Sequence, residues 1–147
     1  MVDYLVDNLT GAHLDYAALV TRHKVQHRIV PICLLIRNRH NFDVYTLNGG
    51  VSPMRWQPTV SAVQAFELTR DYRICHKPHY TEDGGFFFQA CAWDREGRIG
   101  HAPSTGLLEL EAAMRCYVKL INGSSISLAV APLDMLQDVV IVGAQHL

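Results

Sequence analysis

The densest grouping of metal-ligating side chains is Cys75-His76-x-x-His79, which has the thiolate and imidazole types that hold zinc but supplies only three of the four ligands of a structural site. Without a fourth ligand it reads as a polar loop with solvated histidines, and no metal is assigned. Cys91 or Cys116 beside His101 would make a nucleophile and its base, but both cysteines lie in apolar segments that disfavour a thiolate. The chain has no G-x-S-x-G, phosphate loop, dinucleotide fingerprint or H-E-x-x-H. No catalytic residue and no cofactor are therefore assigned, and an enzyme of unrecognised type ranks last among the functional readings. Arg55-Trp56 is the better grouping. A guanidinium beside an indole in an irregular, proline-bearing segment suits stacking and anion contact with a nucleotide-like ligand, and Arg70 and Arg73 follow nearby. Arg55, Trp56, Arg70 and Arg73 are the candidate ligand-binding residues, against the alternative that Trp56 fills the edge of the core. Phe86-Phe87-Phe88 reads as core.

The 147 residues, 49% hydrophobic and 18% charged, suit one globular domain spanning the chain. The longest apolar stretch, 29–36, contains Pro31 and is far short of the roughly 20 residues of a membrane helix, so no membrane association is expected. The N-terminal stretch carries acidic residues where a signal peptide is basic, which places the protein in the cytoplasm. Thirteen basic against fourteen acidic residues give a net charge of −1, so non-specific nucleic-acid binding is not expected. Cys33, Cys75, Cys91 and Cys116 form no C-x-x-C pair and read as buried free thiols.

These groups are positioned by a short list of expected elements. Thr10 caps a first helix with Leu9 and Leu14 as its staple, a stripe of Leu14, Ala17, Ala18 and Thr21, and fraying over 22–26. Segments 29–37 and 42–47 form a hairpin whose first strand starts late or lies on an edge because of Pro31. A weakly striped helix spans 61–71, with Val63, Phe66 and Leu68 inward. A short strand at 73–75 precedes a loop at 76–85, and 85–93 is a strand buried on both faces. The principal helix spans 105–121. Ser104 or Thr105 caps it, Leu110, Met114, Tyr117 and Ile121 form its stripe, and Glu111, Arg115 and Lys119 form an i, i+4 ladder on the opposite side. Strands at 126–130 and 139–142 close the chain. The irregular order gives an α+β fold, a single compact domain with a mixed or antiparallel sheet and two to three helices.

Three stretches together resemble the phage NinX-like family, small proteins of bacterial viruses and prophages whose role is unassigned: LTGAHLDYAAL at 9–19, QPTVSAVQAF with ELTRDYRI at 57–74, and LELEAAMRCYVKL at 108–120. The chain departs from the family at Ala65-Phe66, where glycines are usual, and at Ala102-Pro103-Ser104-Thr105, in place of a glycine-proline-threonine turn. The resemblance implies a phage or prophage accessory protein in the cytoplasm of the bacterial host. Such a protein would act by binding, counteracting host defence by sequestering a nucleotide-type signal or small ligand, with a second subunit of a homo-oligomer completing the pocket. The alternative is an interaction module that docks on a host or phage protein through an apolar patch or sheet edge near 29–47 or 125–143.

Overall fold

The computed structural model describes residues 2–26, 33–39, 41–48, 52–128 and 139–142. In chain order these form β1 (Val2–Leu5), a 3-10 turn (Val6–Asn8), α1 (Gly11–Gln26), β2 (Cys33–Arg37), β3 (Phe42–Asn48), β4 (Ser52–Arg55) and α2 (Ala62–Thr69). A second 3-10 turn (Arg70–Tyr72), β5 (Ile74–Tyr80), β6 (Phe86–Trp93), β7 (Gly100–Gly106), α3 (Glu109–Asn122), β8 (Ser125–Leu128) and β9 (Val139–Val142) follow. The strands pair in three antiparallel sheets, β1-β8, β4-β3-β2-β9 and β5-β6-β7. With three helices among the described residues this is the expected α+β domain, its sheet divided into three small ones.

α3 packs on the greatest variety of partners: α1 and α2 on one side, β5, β6 and β7 on the other. Its stripe explains the first contact, since Met114 and Tyr117 are buried in the main core with Leu14, Leu19, Leu35, Phe42 and Trp56. Ala112 and Cys116, on another face of the helix, meet Ala90 and Ala92 of β6 in a second cluster. Small residues on both sides let helix and sheet approach closely.

Several expectations are corrected. α3 begins after Leu108, because Ser104 and Thr105 belong to β7 and pair with Ala90 and Gln89. The charged ladder is not a solvated face. Arg115 is buried, its Nε donates to Leu9 O at 3.1 Å, its Nη1 donates to Thr105 O at 2.7 Å, and Glu111 lies 3.3 Å away. Lys119 donates to Pro103 O at 2.7 Å and Asp7 at 3.1 Å. α1 stays helical to Gln26 instead of fraying, with Thr21 Oγ1 donating to Ala17 O. Its start needs glycine, since Gly11 takes φ +52°.

β2 is an interior strand, flanked by β3 and β9, and it begins at Cys33 among the described residues. The turn at 38–41 is present, with Asn41 N donating to Asn38 Oδ1. Pro31 and the expected loop at Pro132 lie outside the described residues. Segment 76–80, read as loop, continues β5. His76, Lys77 and Tyr80 are exposed on an edge strand and His79 is half-buried, and the turn Thr81–Gly85 follows. In α2 the inward residues are Ala65 and Leu68, while Val63 and Phe66 are 72% and 62% exposed. β6 is fully buried on one face, at Ala90 and Ala92, and only half-buried on the other, and Phe86 at its start is exposed.

One strained residue marks the β6-β7 pairing. The register slips by one between Ala90↔Ser104 and Ala92↔His101, so β7 carries a bulge, and within it Ala102 takes φ +51°. An L-residue pays about 1–2 kcal/mol there, a cost that glycine avoids while giving back part of it as unfolded-chain entropy. Ala102→Gly is therefore expected to raise stability by about 0.5–1 kcal/mol, read as a higher urea midpoint at unchanged slope. A lower midpoint would show that the bulge carries no such strain.

Candidate functional site

The irregular segment between β4 and α2 is fixed by hydrogen bonds. Trp56 N donates to Val44 O at 2.8 Å, prolonging the β3-β4 pairing by one bond. The Trp56 indole turns inward, 2% exposed, and Nε1 donates to Asp15 O on α1 at 2.8 Å. The Asp15 carboxylate accepts Thr59 N–H at 2.8 Å. Gln64 of α2 closes the loop from the other end, accepting Gln57 N–H at 2.7 Å and donating to Arg55 O at 2.8 Å. Ser61 caps α2 by accepting Gln64 N–H.

Two cavities flank this assembly. The smaller, about 230 Å³, lies between the start of α1, the β2-β3 turn and segment 55–60. Asp15, Trp56 and Thr59 line it, and the Asp43–Arg55 ion pair, 2.9 Å, stands beside them. Asn41 Oδ1, buried with no hydrogen-bond partner among the described residues, adds an acceptor. Burial pushes the Asp15 carboxyl up to about 6, against the lowering effect of Thr59 and Arg55.

The larger cavity, about 420 Å³, lies between the end of α1, α2 with its 3-10 turn, and α3. Arg22, Arg70, Tyr72 and Tyr117 line it together with Glu67 and Asp71. Arg22 places its guanidinium 5.3 Å from the Trp56 ring centroid and makes no ion pair among the described residues. Arg70 is 3.7 Å from its neighbour Asp71, with its side chain 59% exposed. The Tyr72 and Tyr117 rings lie 5.7 Å apart, and burial raises both hydroxyls above their ordinary value, keeping them protonated hydrogen-bonding groups.

The four residues singled out from sequence are thus divided. Arg55 and Trp56 border the smaller cavity and Arg70 the larger. Arg73 borders neither; it turns the chain in the left-handed region, φ +52°, and its carbonyl accepts Trp93 N–H. Trp56 connects the two cavities, because Arg22 covers its ring from the larger one. Arg22, Asp15, Tyr72 and Tyr117 are the site residues that sequence reading missed. For Arg22 no local signal exists, since its contact with Trp56 spans two distant segments.

Among the described residues no group of three or more His, Cys, Asp or Glu is placed to hold a metal. β5 alternation sends Cys75 and His79 to one face and His76 to the other, and the imidazoles pack on Phe87 and Phe88. Cys116 Sγ contacts His101 through the backbone carbonyl, 3.9 Å, and burial pushes its thiol up to about 12, so no activated nucleophile forms there.

Asp15 makes the assembly pH-dependent in the unusual direction for a carboxylate. Because its folded value is raised above the unfolded one of about 3.9, its contribution is most favourable below about pH 4 and is lost as pH rises through about 6, by roughly 3 kcal/mol. Asp15→Asn keeps an acceptor for Thr59 N–H without the charge. Relative to that variant, the wild-type urea midpoint is expected to fall between pH 4 and 7; parallel curves would refute a buried, reluctantly ionised Asp15. No family model matches the chain, and no curated protein matches it.

Proposed function

We propose that the protein acts by binding a small nucleotide-type ligand in the larger cavity. The observation that carries this reading is Arg22: a guanidinium held against an indole, facing a cavity of about 420 Å³, without a carboxylate partner among the described residues. The volume is within the roughly 300–1,000 Å³ range of small-molecule sites, and the smaller cavity is not. Arg22 and Arg70 offer forked donors to a phosphate, Tyr72 an aromatic face, and Glu67 and Asp71 acceptors for amino groups of a base. This mixture of signs suits a ligand with an anionic end and a donor-bearing ring better than a simple polyanion.

Two of the three family-like stretches, 57–74 and 108–120, contribute residues from Glu67 to Tyr72 and Tyr117 to the cavity wall, whereas the first, 9–19, ends before Arg22 and Val25 of α1. On that resemblance we read the chain as a phage or prophage accessory protein that sequesters its ligand from a host defence system. An interaction module is the second reading, favoured by Val63 and Phe66 on α2 and Val60 in the turn before it, which are 72%, 62% and 71% exposed.

Thermal-shift measurements with cyclic nucleotides and ADP-ribose derivatives test the first reading. A ligand at roughly 100 times its dissociation constant is expected to add about 2.7 kcal/mol of stability. Arg70→Ala, at an exposed side chain, is expected to leave the unliganded protein unchanged and to remove most of that shift. Absence of a shift across the set, together with capture of a host protein that Val63→Asp abolishes, would replace ligand capture by the interaction module.

A further inference from the structure

The open face of the β5-β6-β7 sheet holds a pair of thiols that the ligand reading does not use. Cys75 on the edge strand β5 is directly opposite Cys91 on β6. Directly opposed residues project from the same face of an antiparallel pair. Trp93 N donates to Arg73 O at 3.2 Å and Thr81 N to Gly85 O at 2.8 Å, which identifies the odd-numbered positions as the hydrogen-bonded pairs. Cys75 and Cys91 are such a pair, for which Cα atoms stand about 5.5 Å apart, within the roughly 4.4–6.8 Å that a disulfide spans.

The two thiols differ in access as a reactive and a resolving cysteine do. Cys75 is exposed and Cys91 half-buried, whereas Cys33 and Cys116 are buried, with burial pushing both thiols up to about 12. Cys91 leans over Gly100 of β7, where an added Cβ would come within 3.3 Å of its Sγ. Glycine there leaves the thiol room to rotate about its Cα–Cβ bond towards Cys75. Among the described residues β5 has no outer neighbour, so it can yield when the Cβ atoms close by about 1 Å from the hydrogen-bonded spacing to the disulfide one.

The geometry points to a reversible thiol–disulfide site at Cys75 and Cys91, oxidised by small hydroperoxides. The Cys75 thiolate attacks the peroxide, breaks the O–O bond and becomes a sulfenic acid, releasing water from hydrogen peroxide. The Cys91 thiolate then attacks that sulfur, the S–S bond forms and a second water leaves. Two thiols and one hydrogen peroxide thus give one disulfide and two waters. Because the hydrogen-bonded pair does not hold the ideal spacing, the bond carries strain and a dithiol reductant reopens it.

Treating the folded full chain with hydrogen peroxide tests this. Intact mass is expected to show loss of two hydrogen atoms in a monomer, with peptide mapping joining Cys75 to Cys91 and dithiothreitol restoring both thiols. Cys75→Ser, at an exposed position, is expected to abolish the cross-link, and Cys116→Ala to leave it intact. Overturning results are a map that joins any other pair, cross-linking only between chains, or Cys75 passing to sulfinic acid while Cys91 stays reduced.

Discussion

Asp15 holds segment 56–59 twice, with its main-chain carbonyl on the Trp56 indole and its carboxylate on Thr59 N–H. These two bonds attach α1 to the chain leaving the four-stranded sheet, and so set the position of both cavities. The main-chain bond fixes the depth of the indole, and through Trp56 the place where Arg22 rests. The side-chain bond fixes the turn that launches α2. A carboxylate in this position is costly, because the charged form loses water that the backbone and side chain of Thr59 do not fully replace. The upward displacement of its pKa to about 6 is that cost expressed as proton affinity.

On the other side of α3, Arg115 has the corresponding role. Its forked donors reach Leu9 O, just before α1, and Thr105 O at the end of β7. Both acceptors are backbone carbonyls at element ends, where the regular ladder leaves oxygen atoms without partners. A lysine would have to reach both carbonyls from a single nitrogen, where the guanidinium uses two. The same side chain also pairs with Glu111, whose Oε1 accepts Leu107 N–H at 3.1 Å, so one buried cluster settles where β7 ends and α3 begins.

The contrast between these elements explains what the sequence revealed. Met114 and Tyr117 were legible as core because their apolar stripe runs the length of α3, whereas Val63 and Phe66 share that period over only two turns of α2 and are exposed. Arg115 was misread because an i, i+4 charge ladder looks the same whether water or backbone carbonyls solvate it. The part of β5 after Cys75 was read as loop because an exposed edge strand needs no apolar residues: His76, Lys77 and Pro78 are all exposed. Ending that strand at Cys75 hid its pairing along β6 and the register that sets Cys75, an exposed thiol, against Cys91. In the site, Arg55 and Trp56 stood out as neighbours, yet neighbouring residues on extended backbone point to opposite sides. One meets Asp43 near the surface and the other enters the core. The cation that does meet the indole, Arg22, is set there by packing between α1 and segment 56–59, which no local spacing encodes.

The thiol pair and the larger cavity are joined by a very short piece of chain. Arg70, Asp71 and Tyr72 line the cavity from the 3-10 turn, Arg73 reverses the backbone at φ +52°, and Cys75 follows two residues later. The αL turn leaves this piece little freedom to absorb a shift, and the Arg73 carbonyl is already tied to Trp93 N–H on β6. The proposed disulfide at Cys75 would therefore pull on the wall that carries Arg70 and Tyr72, while Tyr117 of α3 is buried in the main core. The cavity thus has one wall on the chain that leads into an edge strand and the others on packed helices.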